Sequence, residues 1–164
     1  MYAGITMAIW LMLIPNSNIT ANFNEIDVFP REVISCPIEE ENALDEAEFD
    51  LLCRCVEAEA GDQNFIGKCY VVDVILNRAE QWNKSVTEVI NEKHVKANGK
   101  TTWQFEVVMN GRINTVKVSD ETRRACEEEI KSRRNTEILY FCMYDWFGSW
   151  ATYCFKHDGH YFYK

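Results

Sequence analysis

The hydrophobic positions keep a helical period over the first half of the folded region and turn to extended, aromatic runs at the end. Between Phe49 and Ala60, Phe49, Leu52 and Val56 recur at three- and four-residue steps, and Glu59 continues the same face. Asp45 is a good N-cap and Glu48 follows at capping-box spacing, so a helix is predicted from Asp45 to Ala60. Gly61 suits a left-handed residue just past the helix end, and Glu57 is turned toward water. After the loop Gly61-Asp62-Gln63-Asn64, a second helix is predicted from Phe65 to Gln81. Phe65, Cys69, Val72 and Leu76 share one face with Val71 and Ile75 beside them, which implies burial on more than one side. Asn77-Arg78 are polar in this apolar run and are expected to hold the loop after Gly61. Ser85-Val86-Thr87-Glu88 is a capping box opening a short helix to about Asn91. Ser119 caps a helix from Asp120 to about Arg133, with acids early and bases late.

Glu92 to Thr102 is polar and reads as a loop. Phe105–Met109 and Arg112–Val118 flank Asn110-Gly111, a hairpin signal. Ile138–Met143, Trp150–Phe155 and His160–Tyr163 are β-rich and aromatic, separated by Asp145–Ser149 and by Lys156-His157-Asp158-Gly159. The expected fold class is therefore α+β: a helical lobe and a small antiparallel sheet, with a cleft between them.

The chain ahead of Asp45 divides in two. An apolar core from Ile5 to Ile14 lies within residues 1–21, too short for an ordinary transmembrane helix but of the length of a signal-peptide core. No Lys or Arg precedes it, and Ala21 is a candidate cleavage site. Residues 1–21 are thus a candidate signal peptide or short anchor, 22–44 an acidic linker and 45–164 the folded domain. No integral membrane span is expected. A secreted or cell-wall-associated location is.

Composition narrows the function classes. The net charge of −9 argues against nonspecific nucleic-acid binding, which needs a cationic surface. Aromatic residues make up 13% and crowd the last strands, as either core or sugar-stacking surface. The seven cysteines include no CxxC pair, so a structural metal is not expected, and they read first as small core residues. Their odd count leaves at least one free or paired between chains. No Gly-rich phosphate loop occurs, and no cofactor is implied.

Glu59 is the leading chemical candidate. A carboxyl on an apolar face has its charged form disfavoured and can serve as a general acid near neutral pH. The plain alternative is a snorkelling or salt-bridged surface residue. His160, among aromatics beside a turn, could orient a carboxylate or bond a sugar, or be a satisfied structural histidine; His157 reads as more exposed. A cysteine nucleophile needs an adjacent histidine, and Cys154 with His160 is a conceivable pair. A two-acid glycosidase needs a second carboxylate. Asp62, Asp73 and Glu106 are available and none is distinguished, so a single-acid mechanism is the simpler fit.

Ala58-Glu59-Ala60-Gly61-Asp62-Gln63, then Gly67-Lys68 and Val74-Ile75-Leu76-Asn77-Arg78, resemble the SleB-type cell wall hydrolase family, named for a spore cortex-lytic enzyme. Gln104-Phe105, Asn110-Gly111 and Gly159-His160-Tyr161-Phe162-Tyr163 fit the same family in the same order. The resemblance runs from about Leu51 to Lys164. It implies a lysozyme-like catalytic domain that cleaves peptidoglycan glycan strands by lytic transglycosylase chemistry, between N-acetylmuramic acid and N-acetylglucosamine. By position, Glu59 matches the family's catalytic acid. Gln104, Phe105, Tyr140, His160 and Tyr161 would line the glycan groove. Glu106 stands where the family frequently has Ser or Thr and adds a charge near that groove. The resemblance fits an exported or phage-encoded enzyme, either finding its substrate alone or delivered by an accessory cell-wall-targeting protein. The rival from another class is a noncatalytic glycan-binding or structural protein on this fold.

Overall fold

A computed structural model of the protein describes residues 44–145 and 151–164. The candidate signal segment, nearly all of the acidic linker, Cys36, Trp150 and most of the Asp145–Ser149 turn lie outside the described residues. The helices are α1 (Glu46–Ala60), α2 (Phe65–Trp82), α3 (Val86–Ile90), α4 (Glu106–Met109) and α5 (Asp120–Lys131). The strands are β1 (Lys93–Val95), β2 (Thr101–Trp103), β3 (Tyr140–Cys142), β4 (Tyr153–His157) and β5 (His160–Tyr163). The fold is α+β, as expected.

The predicted N-caps form. Asp45 accepts from the Glu48 N–H at 2.8 Å and Ser119 from Thr122 at 3.3 Å; Asn64, expected only as the end of a loop, also caps its helix, accepting from Gly67 at 2.9 Å. Ser85 and Glu88 make both halves of a capping box. Glu48 does not complete a box at α1; its carboxylate accepts instead from the Thr87 N–H at 3.0 Å, one of the orphan donors of α3. Gly61 is right-handed, with φ −60°. Glycine is needed there because a Cβ would lie 2.5 Å from the Glu57 carbonyl oxygen.

Glu57 is not left to water. Its carboxylate accepts from the Ser119 N–H at 3.0 Å, the Ser119 hydroxyl at 2.7 Å and the Thr122 hydroxyl, and so anchors the start of α5. Burial works to raise its pKa, but these hydrogen bonds outweigh burial and the net shift is downward. Its contribution is present above the ordinary carboxylate range and is lost as pH falls through the lowered value. Glu57→Ala should cost about 2 kcal/mol at neutral pH, the scale of hydrogen bonds to a charged group. Urea unfolding at pH 7 and pH 3 should show the deficit shrinking at the acidic end.

Two elements differ from expectation. Glu92–Thr102 is not a loop throughout: β1 and β2 pair antiparallel, Lys93 opposite Trp103, around a turn with Gly99 at φ 79°. Asn110-Gly111 does not make a hairpin. Asn110 (φ −87°) ends α4, Gly111 (φ 76°) is the left-handed residue after it, and a 3-10 turn follows at Arg112–Asn114. A glycine suited to a hairpin turn is equally suited to ending a helix. Packing decides between them, because Phe105, Val107 and Ile113 enter the core made by α1.

Helix α2 is the axis of the domain, buried along nearly its whole length from Gly67 to Arg78. One side packs in the main core with Leu52, Val56, Val72, Ile75, Val89 and Cys126. Its other side meets the sheet, ordered β3-β5-β4 and antiparallel throughout. Phe141, Phe162 and Phe155 align across the three strands, and Tyr70 of α2 packs on Phe155 and Phe162 with centroids 4.9 and 5.4 Å away. Cys53, Cys55, Cys69 and Cys126 are fully buried with free thiols, consistent with small core residues.

Asp73, also on α2, is fully buried. One carboxylate oxygen accepts from the Asn135 N–H at 2.9 Å and the other has no partner. Burial pushes its pKa up from 3.8 to about 7, against the hydrogen bond and the Arg133 and Arg134 charges. A raised carboxyl favours the fold below its unfolded value, and that advantage is lost as pH rises through the folded value. Asp73→Asn keeps the acceptor for Asn135 and removes the charge. Thermal melts at pH 4 and pH 8 should show the variant gaining on the wild type by up to about 4 kcal/mol between them.

Candidate active site

Glu59 stands on the last turn of α1 between buried Ala58 and Ala60, whose small side chains let α4 and the 3-10 turn close over it. It is half-buried, and its Oε1 is enclosed without a hydrogen-bond partner. Burial raises its pKa and the nearby Glu106 carboxylate adds to the rise; the Val107 N–H and the charges of Arg112 and Arg78 oppose it. The result is a carboxyl that keeps its proton to higher pH than an exposed glutamate.

Of the two cations that reach Glu59, Arg112 is exposed and Arg78, from the last turns of α2, is only 3% exposed. Its Nε donates to the Leu139 carbonyl at the start of the sheet. Its guanidinium lies 5.1 Å from the Tyr140 ring, 5.3 Å from Phe105 and 5.5 Å from Trp82. Burial lowers its pKa to about 10, opposed by Tyr140, Glu92, Cys55 and Glu59, so it stays charged at neutral pH. Asn77 donates to the carbonyls of Asn135 and Ile138 at 2.8 and 2.9 Å. Asn77 and Arg78 therefore hold the segment leading into β3, not the loop after Gly61. That loop is clasped by the β4–β5 turn: the Gly159 N–H donates to Gln63 at 3.1 Å, and His157 Nε2 lies 3.0 Å from Asn64 Oδ1.

Gln104 bridges inward and outward. Arg78 can only donate, so the amide oxygen must face it, at 3.0 and 3.1 Å, and the amide nitrogen then faces His94 Nε2 at 3.2 Å. Beside this bridge is a cavity of about 520 Å³ lined by Trp82, Lys84, Glu92, His94, Gln104 and Tyr140. A larger one of about 690 Å³, lined by residues such as Leu44, Val86 and Ile130, contains none of the candidate residues.

The sequence candidates divide on this geometry. Gln104 and Tyr140 come together at the cavity, and both meet Arg78, whose charge also reaches Glu59. Phe105 is 2% exposed and belongs to the core, so it shapes the site through Arg78 and presents no open face for a sugar. His160 is buried against Phe141 and Phe162, with Nδ1 unpartnered. Burial lowers its pKa, with Asp62 and Asp158 opposing. Tyr161 points to the opposite face of β5 from His160, packing with Tyr153 and under Lys156 Nζ at 4.8 Å, and is not brought to the cavity. Strand alternation separates these neighbours. Trp82, Glu92 and His94 were not singled out in the sequence. Their signal was Arg78 itself: an arginine in an apolar helix stripe demands acceptors and rings around it.

Cys53, Cys55 and Cys69 are enclosed in the core, out of reach of a substrate. Burial pushes the Cys55 thiol well up and Cys69 to about 11, and Cys154 is also raised. Cys53, lowered by a hydrogen bond from Cys126, is fully enclosed. Among the described residues, no three His, Cys, Asp or Glu side chains are placed to hold a metal, and no helix is long and apolar enough to cross a membrane.

Among solved structures, the catalytic domain of the germination-specific lytic transglycosylase SleB from Bacillus anthracis matches with a TM-score of 0.61 and 22% identity, over 75% of this chain and 98% of that one. That is a likeness of fold. A search of curated proteins finds no match. The cell wall hydrolase family matches residues 62–163, beginning just after Glu59. This span is more than half of the chain and includes α2, Arg78, the cavity and the whole sheet; the chain belongs to the cell wall hydrolase family.

Proposed function

We propose that the protein cleaves the glycan strand of peptidoglycan as a lytic transglycosylase, with Glu59 as general acid and then base. The observation that carries this reading is the half-buried Glu59 carboxyl with its raised pKa, within charge reach of buried Arg78, whose partners Gln104 and Tyr140 line an aromatic-walled cavity. Family membership supplies the substrate class, and the SleB domain of the same fold is a lytic transglycosylase by description. Protonated Glu59 donates to the glycosidic oxygen as the bond to the muramic acid C1 breaks. Its carboxylate then accepts the proton of the muramic acid C6 hydroxyl as O6 bonds to C1 and closes the 1,6-anhydro ring. Arg78 steadies the carboxylate between the two transfers. Such chemistry belongs outside the cytoplasmic membrane, in keeping with an exported protein.

A second reading has its own support. Glu106 is near enough to raise the pKa of Glu59, and a second carboxylate could direct water to C1 and give hydrolysis. Mass spectrometry of products from purified peptidoglycan separates the two. Anhydromuropeptides are expected. Reducing-end muropeptides, lost in Glu106→Gln, would replace transglycosylation with hydrolysis. A folded protein that binds glycan and releases no product would leave a binding module.

A further inference from the structure

The β1–β2 hairpin stands apart from the rest of the domain in packing and in charge. Every residue of β1 is exposed, and apolar Val95 is 71% exposed, so no core covers this arm. Polar bonds tie its base down instead. The Gln104 N–H donates to the Glu92 carbonyl at 2.9 Å, and the Gln104 amide reaches His94 and Arg78. From Lys93 to Trp103 the chain carries Lys93, Lys96 and Lys100 and no Asp or Glu, in a protein that is acidic overall. Among the described residues none of these lysines makes an ion pair, whereas Lys84 near the base is taken up by Glu92.

The turn brings two of the charges together. The Gly99 N–H donates to the Lys96 carbonyl at 2.8 Å, and the Lys96 N–H donates to the Lys100 carbonyl at 2.9 Å. The register that sets Val95 opposite Thr101 therefore continues to Lys96 opposite Lys100. Directly opposed residues share a face, so both ammonium groups stand on the side of His94 and Thr102, where like charges cost stability. On the other side Lys93 Nζ lies 4.7 Å from the Trp103 ring centroid. A bound anion relieves that repulsion. Lysine is a compact charge on a flexible stem and suits phosphate oxygens, whereas a carboxylate is gripped best by an arginine fork, which the arm lacks. Charges spread over both faces of an exposed arm fit a flexible chain of repeated anions better than one small ion.

We propose that the β1–β2 hairpin is a docking arm for an anionic phosphodiester polymer of the cell wall, with Lys96 and Lys100 taking phosphates at its tip and Lys93 a third along its length. The proposal rests on membership of the cell wall hydrolase family and is independent of the chemistry assigned to Glu59.

The test titrates the folded protein with poly(glycerol phosphate). Binding should weaken on the order of tenfold between about 50 and 200 mM salt, with log K falling against log salt at a slope of about −2, as three charges on a flexible chain require. Lys93→Gln, Lys96→Gln and Lys100→Gln combined should weaken binding by at least about tenfold at the lower salt and flatten the slope. Thermal melts check the fold of that variant; if it fails, Lys100→Glu, which gives Lys96 a partner across the strands, takes its place and should weaken binding likewise. On wall material stripped of phosphodiesters by hydrofluoric acid, wild type and variant should be retained equally. Equal affinity of wild type and variant for the polymer, a salt-independent affinity, or poly-L-glutamate bound as tightly overturns the proposal. So does a difference between the two proteins that persists on stripped wall. Lysine-dependent binding without peptidoglycan cleavage would uphold the arm and sink the catalytic reading. Cleavage by wild type and variant alike, with no polymer bound, would do the reverse.

Discussion

Glu59→Gln should leave a folded protein whose cleavage of peptidoglycan has fallen by at least about 10²- to 10⁴-fold, the contribution typical of one general acid. The substitution keeps the size of the side chain and an oxygen for the Val107 N–H, and removes only the proton that the reaction needs. Stability should not suffer. The folded-state pKa of Glu59 is raised by burial, so the charged form is the costly one, and its contribution to stability is lost as pH rises through the raised value. The neutral amide of the variant avoids that loss, and at alkaline pH the variant should melt no lower than the wild type. The wild-type rate should itself fall on the alkaline side as Glu59 loses its proton, at a higher pH than an exposed glutamate would. Product release measured by mass spectrometry across pH, beside thermal melts of both proteins, checks all three expectations. A variant with undiminished turnover would remove Glu59 from the chemistry.

Arg78→Ala should be the most destabilising change near the site, by about 3–5 kcal/mol, since it leaves buried acceptors unpaired and opens a cavity among three rings. The acceptors are the Leu139 carbonyl and the Gln104 amide oxygen, and the rings are Trp82, Phe105 and Tyr140. Denaturation in urea gives the loss directly. Arg78→Lys separates charge from geometry. It retains a cation near Glu59 but loses the planar fork that holds Gln104 and Leu139 together. The lysine variant should therefore keep the alkaline limb of the rate profile near its wild-type position while losing turnover. If any activity survives in Arg78→Ala, that limb should move to higher pH, because a charge that lowers the Glu59 pKa is gone. Equal profiles in the two variants would show that Arg78 acts through packing alone.

Local chemistry determined much of this protein before any folding partner was considered. The caps Asp45, Asn64, Ser85 and Ser119 and the apolar stripes they precede specify the main helices, because a helix is decided by residues within four positions of one another. The aromatic, β-branched runs specify β3, β4 and β5, and the stripe through Leu52 and Val56 already marks Glu59 as a carboxyl facing inward. Tertiary structure decided what the polar groups on those elements do. Glu48 reaches Thr87, Glu57 reaches Ser119 and Thr122, and Asn77 reaches Asn135 and Ile138, partners some forty to sixty residues away that no local pattern announces. The same holds for Asn110-Gly111, whose turn chemistry suits a hairpin or a helix end until Ile113 is placed in the core. It holds most of all for Arg78. Its presence in an apolar helix was legible as a demand for partners, but only packing brings it Gln104, Tyr140 and Trp82, sets His94 beside Gln104 in the cavity wall, and leaves Tyr161 on the far face of the sheet. A buried charge needs acceptors from whatever segments surround it, and those segments meet only in the folded chain.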